Sequence, residues 1–367
     1  MIKNRYIVLF LALPLFCSCS KEAGEEVNPN APAGLEARIA GVSLVTRGGA
    51  ATASDISTLG IYAVNSVSTE KAYGTAPAGT YCEYKIDKGV ASPKDAAAPL
   101  WLYQEKATIF SCHPAPSSTS DIVSGGTAAD PVPTVKIPAA AIGHTQSAIA
   151  MVSGNVYDFA KAAHDYMYGV AYDDTKSTEA AKYLTTQPVA DNGHAGTSTS
   201  GPKVAIGLKH AFAQIKLIIS KDAAYKGDAK ITQVTYTRKM KTLKSDGTTT
   251  MSLKDGTLAN TADLADTPCS FTFAASGGVA TTEATGEKAA PVTLVNYVLP
   301  NDAPASKSTF SVTVDGKAMT MQYASDPKWE AGNIYSYTIT IKPTGLALTG
   351  FTVIAWKDES QPDIPTI

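Results

Sequence analysis

Apolar and polar residues alternate on both sides of an Asp-Gly dipeptide at 315–316, in the stretches STFSVTV and KAMTMQY. An Asp-Gly pair favours the positive φ angles of a two-residue type I′ turn, which joins antiparallel strands. Counting outward from this turn places Val312 opposite Met319 and Phe310 opposite Met321, so the apolar side chains share one face. The pattern predicts a β-hairpin with a defined register.

The same alternation recurs in short segments that Gly, Pro, Ser or Thr residues separate. They include LGIYAV (59–64), YCEYKI (81–86), KATIFSCHP (106–114) and NIYSYTITI (333–341). The apolar phase shifts across Gly41 in LEARIAGVSLV, which indicates a strand with a bulge, and it shifts again at Gly350. Many short strands at roughly 8 to 12 residue spacing favour β-sandwiches, so we predict an all-β fold. Only SGNVYDFAKAAHDYMYG hints at a helical turn.

The N-terminus has the pattern of an export signal. Lys3 and Arg5 precede an apolar core at 6–16, which is shorter than the roughly 20 residues that span a bilayer. Ser18 stands before Cys19, and this resembles a bacterial lipoprotein signal in which the cysteine becomes the lipidated first residue. We therefore predict a signal peptide over 1–18, lipidation of Cys19 and a membrane anchor made by acyl chains. The alternative is an ordinary secreted protein with an incidental cysteine.

Length and charge limit the remaining organisation. Residues 19–34 lack large apolar groups apart from Val27, so we expect a flexible tether there. The remaining length suits two domains, and we place the boundary in the turn-rich NGHAGTSTSGPK, giving an N-terminal β-sandwich domain over 35–200 and a C-terminal one over 201–367. A net charge of -2 and a pI near 6.2 lack the basic footprint of a nucleic-acid-binding protein.

Three cysteines follow the predicted signal. Cys82 and Cys112 occupy inward positions of predicted strands, and Cys269 leaves the number odd. We expect buried free thiols, with a Cys82 to Cys112 disulfide as the alternative because an oxidising compartment permits it.

No motif predicts catalysis, a cofactor or a metal. GTSTSG departs from the G-x-S-x-G nucleophile pattern at its last residue, and Cys112-His113 lacks the second pair that a zinc site needs. His210 is expected to make a structural hydrogen bond at the start of a strand. The basic run of Arg238, Lys239, Lys241 and Lys244 is expected to form a solvated hairpin.

Several segments occur together in an order that resembles the fimbrillin-like family, the subunits of type V pili of Gram-negative bacteria. They are SCSKE, VTRGG, LGIYAV, PLWLYQEKATIFSCHP, DYMYG, GLKHAFAQIKL, NYVLP, and KWEAGNIYSYTITI with FTVIAW. The resemblance implies a lipoprotein precursor with two transthyretin-like β-sandwich domains, which forms a structural part of a surface fimbria and serves adhesion.

The resemblance also implies a route of assembly. An arginine-specific protease removes the first strand, here 35–46, together with the lipid anchor, by cutting between Arg47 and Gly48. The chain has only four arginines, and two of the three that follow the signal lie near its start, so such a protease has few places to cut. The alternative is that Arg47 is a plain turn residue.

The vacated groove then accepts a strand from a neighbouring subunit. Our candidate donor is LALTGFTVIAW, with five inserted apolar side chains: Leu346, Leu348, Phe351, Val353 and Trp356. The alternative is that this segment is the ordinary last strand of its own domain.

Two other classes of function stay open from the sequence. One is a monomeric surface lipoprotein, or a pilus tip or anchor component, that binds glycan or a host protein through aromatic residues such as Trp101, Tyr103 and the tyrosines of DYMYG. The other is a glycan-active hydrolase, which needs a convergent pair of carboxylates.

Overall fold

The structure is a computed structural model. It describes residues 33–42, 45–46, 49–50, 56–65, 73, 80–87, 90–96, 98–103, 105–116, 118–127, 129–151, 154–158, 165–192, 203–275, 277–283, 290–301 and 306–355.

Strands dominate the described residues. Those before residue 200 are β1 (Ala33–Gly34), β2 (Glu36–Val42), β3 (Val45–Thr46), β4 (Gly49–Ala50), β5 (Thr58–Asn65), β6 (Thr80–Asp87), β7 (Val90–Pro93), β8 (Trp101–Leu102), β9 (Ala107–His113), β10 (Ile122–Val123), β11 (Thr134–Lys136), β12 (Thr145–Ile149), β13 (Val156–Asp158), β14 (Met167–Ala171) and β15 (Val189–Ala190). Those after it are β16 (Lys203–His210), β17 (Ala213–Lys221), β18 (Lys230–Met240), β19 (Thr250–Ser252), β20 (Leu258–Ala259), β21 (Ala265–Phe273), β22 (Val279–Ala280), β23 (Val292–Val298), β24 (Ser306–Val314), β25 (Lys317–Asp326), β26 (Asn333–Lys342) and β27 (Gly345–Ala355). The all-β prediction is confirmed.

Helix is limited to one α-helical turn, α1 (Glu179–Lys182), and short 3₁₀ turns at Thr119–Asp121 and Ala139–Ala141. In SGNVYDFAKAAHDYMYG, which hinted at a helical turn, Val156–Asp158 and Met167–Ala171 are strands. Residues 159–164 lie outside the described residues, so the hint stays a prediction. In the part of the chain that the structure describes, no helix is both long and apolar enough to cross a membrane.

The first large sheet closes on itself. Its strand order is β14-β16-β2-β7-β6-β5-β9-β15, and β14 also pairs with β9. Seven strands therefore form a ring, which we call the N-terminal ring, and β15 extends it. Because each strand in the ring has a partner on both sides, the ring closure leaves no long edge exposed.

The second half forms a sandwich of two sheets. One has the order β12-β21-β18-β24-β25, with β22 also on β18, and the other has the order β13-β23-β17-β26-β27. Inward side chains from both sheets, such as Tyr236 and Phe310 from one and Leu217 and Tyr337 from the other, share one buried cluster. The two sheets therefore pack face to face, as in a β-sandwich.

A separate core joins the ring to the sandwich. It combines Phe110 and Tyr166 from the ring side, Met251 from the small sheet β10-β11-β19-β20, and Tyr297 and Ile334 from the sandwich. In this core the aromatic side chain of Phe212 makes tilted contacts with those of Tyr166 and Tyr297. The two halves are thus connected by buried apolar contact as well as by the chain.

Strands on each side of the predicted domain boundary pair with strands on the other side of it. β16, which follows residue 200, belongs to the N-terminal ring, whereas β12 and β13, which precede it, pair in parallel with β21 and β23 of the sandwich. The division into 35–200 and 201–367 stays a prediction.

The predicted hairpin is confirmed in its register. β24 and β25 pair with Val312 opposite Met319 and Phe310 opposite Met321. Asp315 and Gly316 both have positive φ, at 48° and 78°, as a type I′ turn requires. The phase shifts also correspond to irregular pairing, between Ile39 and Gly41 in β2 and between Leu348 and Gly350 in β27.

Candidate assembly site

The predicted first strand lies inside the N-terminal ring. β2 runs parallel to β16, with Ala37 opposite Val204 and Ile39 opposite Ile206. On its other side it runs antiparallel to β7, with Ala37 opposite Ala91. The strand is therefore an internal one, paired on both edges.

Alternate side chains of this segment point into the core of the ring. Leu35 is 2% exposed, Ala37 3% and Ile39 7%, and all three belong to the core cluster that also contains Leu59 and Leu102. Burying a large aliphatic side chain contributes roughly 1.5 to 3 kcal/mol. Leu35 and Ile39 are thus the main apolar anchors of the strand.

The residues between them face solvent and form ion pairs with the neighbouring elements. Arg38 Nη2 lies 2.6 Å from Asp174 Oδ2, and Lys203 Nζ lies 3.3 Å from Glu36 Oε2. All four side chains are more than half exposed, so each pair contributes about 0 to 1 kcal/mol. The strand is held mainly by its backbone hydrogen bonds and its apolar face.

Tyr84 fixes the beginning of the segment. Its hydroxyl donates to the carbonyl oxygen of Leu35 at 3.1 Å and accepts from the N–H of Leu100 at 3.3 Å. The N–H of Leu35 in turn donates to the carbonyl of Leu100 at 2.8 Å. Burial raises the pKa of Tyr84, so this hydroxyl keeps its proton and continues to donate.

Loss of β2 would change the ring in one specific way. β16 and β7 would each lose a hydrogen-bonding partner, and the space that Leu35, Ala37 and Ile39 occupy would be open between them. An unpaired strand edge beside an apolar groove is a template for another strand. The geometry therefore defines a groove, which we call the β2 groove, that is filled in the intact chain.

The residues predicted to be processed lie outside the described part of the chain. Arg47 and Gly48 stand in the sequence between β3 and β4, which pair with Thr46 opposite Gly49. Cys19 also lies outside the described residues. The predicted cleavage and lipidation therefore stay predictions.

The other two arginines after the signal are described. Arg38 is in the middle of β2, where the backbone is paired on both sides. Arg238 is 0% exposed, so the predicted solvated hairpin is wrong at this residue. The interior of the sandwich keeps Arg238 away from any protease.

Arg238 is buried because its charge has partners. Its Nη1 lies 3.0 Å from Asp326 Oδ2, its Nη2 donates to the carbonyl of Pro327 at 2.6 Å, and its guanidinium lies 4.3 Å from the ring centroid of Trp329. The same carboxylate accepts from Tyr337 at 2.6 Å, and further contacts come from Tyr236 at 3.0 Å and Ser308. We call these residues the Arg238 cluster.

The sequence pattern did not predict this cluster. In β18 the buried positions alternate as Val234, Tyr236 and Arg238, so the arginine has the inward phase. This alternation could have predicted the burial of Arg238 from the sequence. The neighbouring lysines instead suggested a solvated basic run.

The candidate donor segment is β27, at the free end of the five-stranded sheet. It pairs antiparallel with β26 of the same chain, and Leu346, Leu348 and Phe351 pack partly buried against the core of the sandwich. Val353 is 45% exposed, and Trp356 lies outside the described residues. The β2 groove and β27 thus belong to different sheets.

A Cys82 to Cys112 disulfide is excluded by the pairing. Cys82 is opposite Ile61, and Cys112 is opposite Gly60, on strands that flank β5 from its two sides. Two strand spacings are about 9 to 10 Å, beyond the roughly 7 Å between Cα atoms that a disulfide spans. Cys82, Cys112 and Cys269 are free, as expected. Cys112 and Cys269 are also buried, whereas Cys82 is only partly buried, so the expected burial is wrong for this thiol.

The described histidines have structural surroundings. His210 ends β16 rather than starting a strand, and its Nδ1 lies 3.1 Å from Asp165 Oδ1, which confirms the expected hydrogen bond. His144 Nδ1 lies 3.4 Å from Cys269 Sγ, where burial lowers the pKa of the histidine and raises that of the thiol to about 12. Among the described residues no group of three or more His, Cys, Asp or Glu side chains could hold a metal ion.

In its described part the chain is all-β, with an internal N-terminal strand in the ring and a C-terminal strand, β27, at the edge of the five-stranded sheet. The chain is a member of the fimbrillin-like family, whose model matches residues 46–356. The predicted family is confirmed.

Solved structures share the fold. They include a protein assigned to cell adhesion from Bacteroides uniformis ATCC 8492 (16% identity, TM-score 0.50, covering 89% of this chain and 98% of that one) and another from Bacteroides ovatus ATCC 8483 (13%, 0.52, 90% and 99%). A fimbrial protein from Bacteroides vulgatus ATCC 8482 is similar to the same degree, with 14% identity and a TM-score of 0.51 over 89% of this chain and 100% of that one. No curated protein sequence matches this chain significantly.

Proposed function

We propose that this protein is a structural subunit of a cell-surface fimbria that serves adhesion, with no catalytic role. Family membership supports the fimbrial role and the association with other pilus subunits. The observation that carries the assembly mechanism is the position of β2, an internal strand of the ring that lies just before Arg47 in the sequence.

In this proposal the chain is exported with the signal 1–18, lipidated at Cys19 and held at the outer membrane by its acyl chains. An arginine-specific protease then cuts between Arg47 and Gly48. One cut separates β2 and the anchor from the rest of the chain, and only non-covalent contacts then retain the strand. The burial of Arg238 and the two-sided pairing of Arg38 support a single productive cleavage.

The empty β2 groove then accepts a strand of the next subunit. Main-chain hydrogen bonds to β16 and β7 supply affinity, and the apolar pockets of Leu35 and Ile39 select the register. The candidate donor is β27 extended to Trp356. A subunit that gives a strand at one place and receives one at another makes a head-to-tail contact that does not close, so the product is a filament.

A second candidate function is a monomeric surface lipoprotein, or a tip or anchor component, that binds glycan. The specific observation in its favour is Trp101, whose side chain is 46% exposed on β8. Exposed indole rings stack on sugars. Glycan-array binding that Trp101→Ala abolishes, with an unchanged far-UV circular dichroism spectrum, would support this candidate.

The test of the fimbrial proposal is controlled proteolysis of the soluble chain from Ser20 onward. Brief treatment with an arginine-specific protease, N-terminal sequencing and light scattering should give a new terminus at Gly48 and growth into filaments. The matched control is Arg47→Lys, which keeps the charge and should stay intact and monomeric. Resistance of the unmodified chain at Arg47 would contradict the mechanism, because β2 would then be a permanent strand.

A further inference from the structure

Two neighbouring cavities lie where the N-terminal ring, the small sheet β10-β11-β19-β20 and the sandwich meet. The first has a volume of about 280 Å³, and it is lined by Tyr168 of β14, Glu179 of α1 and Lys209 of β16. The second has a volume of about 260 Å³, and residues 255–258, which lead into β20, form part of its wall. Ala331, in the turn before β26, lines both cavities. We call the two cavities together the junction cleft.

Tyr168 connects the two cavities. Its ring lines the first one and packs on Gly256, which lines the second. A Cβ at Gly256 would lie 2.3 Å from Tyr168 Cε1, and the φ of +75° at this glycine is a conformation that other residues rarely adopt. Burial raises the pKa of Tyr168, so its hydroxyl keeps its proton and can donate. The ring is therefore held in position against the backbone of the turn.

Tyr183 provides a second aromatic wall of the first cavity. A Cβ at Gly207 would lie 2.7 Å from Tyr183 Cδ1, so this ring also packs on a strand backbone. It makes an edge contact with Tyr172, at 5.1 Å between ring centroids. Two positioned aromatic rings and the aliphatic Leu208 give the first cavity an apolar surface that suits the flat face of a ring-shaped ligand.

The charged groups that line the junction cleft have both signs. The first cavity has Lys209 and Glu179, and the second has Lys241 and Asp255. Glu179 also contacts Lys182, at 2.5 Å from Nζ to Oε1, so its charge is already compensated. Neither sign dominates, which disfavours a strongly charged ligand. A hydroxyl group both donates and accepts hydrogen bonds, so it can satisfy an ammonium and a carboxylate in the same cavity.

His210 completes the polar lining of the first cavity. Its Nδ1 lies 3.1 Å from Asp165 Oδ1, and both side chains are buried, so the carboxylate fixes the orientation of the imidazole. This pair adds a positioned polar group and leaves the balance between Lys209 and Glu179 at the mouth of the cavity unchanged.

Lys209 is the group in this cavity that gains most from a ligand oxygen. Its side chain is half-buried, and burial lowers its pKa because the charged form loses hydration. Its Nζ lies 3.5 Å from the carbonyl oxygen of Leu184, which is a long contact for a group with three N–H donors. A hydroxyl oxygen inside the cavity would replace part of the hydration that burial removes.

The volumes fit sugar rings. A cavity of about 150 Å³ holds benzene, so each of the two cavities accepts a six-membered ring that carries hydroxyl groups. We propose that the junction cleft binds a neutral oligosaccharide, with one sugar ring against Tyr168 and its hydroxyl groups between Lys209 and Glu179. The proposal names a ligand class for the adhesive role proposed above, on which its biological meaning rests. Trp101 lines neither cavity, so this site differs from the second candidate function.

The experiment is saturation-transfer-difference NMR on the intact soluble chain from Ser20 onward. The probes are maltose, cellobiose, lactose and N-acetyllactosamine, with sialyllactose as the charged comparison. We expect saturation of the ring C–H protons of at least one neutral disaccharide. Lys209→Met keeps the apolar stem and removes the ammonium, so it should raise the Kd of that disaccharide about tenfold.

Ala331→Trp is the variant that tests the location. Ala331 is exposed and lines both cavities, so an indole there fills the junction cleft without changing the core, and the signal should fall several-fold. The matched control is Ala223→Trp, at an exposed position that lines neither cavity, and it should bind like the unmodified chain. Trp101→Ala should also leave binding unchanged.

Three results would overturn the proposal. They are no saturation of any neutral disaccharide by the unmodified chain, binding confined to sialyllactose, and equal binding by Ala331→Trp and Ala223→Trp. Loss of binding in Trp101→Ala alone would move the sugar to the site of the second candidate function. Cleavage at Arg47 plays no part in these measurements, so failure of the junction cleft and failure of the fimbrial assembly proposal are distinguishable.

Discussion

Replacing Leu35, which immediately precedes β2, by alanine tests whether the buried apolar side chains of this segment retain the strand. Leu35 is 2% exposed, and it lies in the core cluster of the N-terminal ring. Truncating a buried leucine to alanine costs about 2 to 5 kcal/mol. In the intact chain, the free energy of unfolding should fall by that amount, which denaturant titration measures.

After cleavage, the same loss of stabilising free energy should increase the rate at which the N-terminal peptide with β2 is released. Since about 1.4 kcal/mol corresponds to a tenfold change, even the low end of ~2 kcal/mol accelerates release about 30-fold. The assay uses the soluble chain with Arg38→Lys, so that the protease cuts only at Arg47. Size-exclusion chromatography with mass spectrometry then follows loss of the N-terminal peptide over time.

The matched control is Glu36→Gln, on the solvent-facing side of the same strand. It removes the contact with Lys203, an exposed pair worth about 0 to 1 kcal/mol, so release should accelerate about fivefold at most. Equal release rates for Leu35→Ala and Glu36→Gln would refute the reasoning, because the apolar face would then contribute nothing to retention.

Other predictions concern the interior. Asp326→Asn leaves the charge of Arg238 buried without its anion and should lower the free energy of unfolding by about 3 to 5 kcal/mol in a denaturant titration. Gly169→Ala should lower it by about 1 to 3 kcal/mol, because the new Cβ would lie 1.7 Å from Ser111 Oγ. Burial raises the pKa of Cys112 to about 12, and its side chain is 0% exposed, so the thiol is protonated and inaccessible at pH 8. Iodoacetamide should therefore leave this residue unmodified in the folded chain, as mass spectrometry would show.

Each of these has a control in the same protein. Glu330→Gln changes an exposed carboxylate near Asp326 and should stay within about 0.5 kcal/mol of the unmodified chain. Gly277→Ala should be similarly mild, since its Cβ would meet nothing within 4 Å. Cys82 is only partly buried and should react before Cys112 does. A destabilisation by Asp326→Asn no larger than that of Glu330→Gln would mean that Arg238 is not held by its charge partner.

Local patterns in the sequence determined several features. The Asp-Gly dipeptide at 315–316 and the alternation beside it predicted the pairing of Phe310 with Met321. The phase shifts at Gly41 and Gly350 predicted where the pairing becomes irregular. These features depend on backbone conformations of neighbouring residues, which the residue types set directly.

Only the tertiary structure decided the pairing of β2. Its parallel partner β16 is more than 160 residues away in the sequence, and its antiparallel partner β7 lies in between. The alternation of Leu35, Ala37 and Ile39 predicts a strand with one buried face, but any apolar neighbour satisfies that pattern. The β2 groove therefore exists because the ring closes, which no local signal encodes.

The burial of Arg238 has the same origin. An arginine followed by lysines in the sequence suggests a solvated side chain. The burial of Arg238 instead depends on a carboxylate 88 positions later, on Trp329 and on a backbone carbonyl. A charge is stable inside a protein only when folding brings its partners to it. The sequence by itself thus determined the strands, the turns and the family, whereas long-range pairing and charge compensation in the tertiary structure decided which strand is internal and which arginine is hidden.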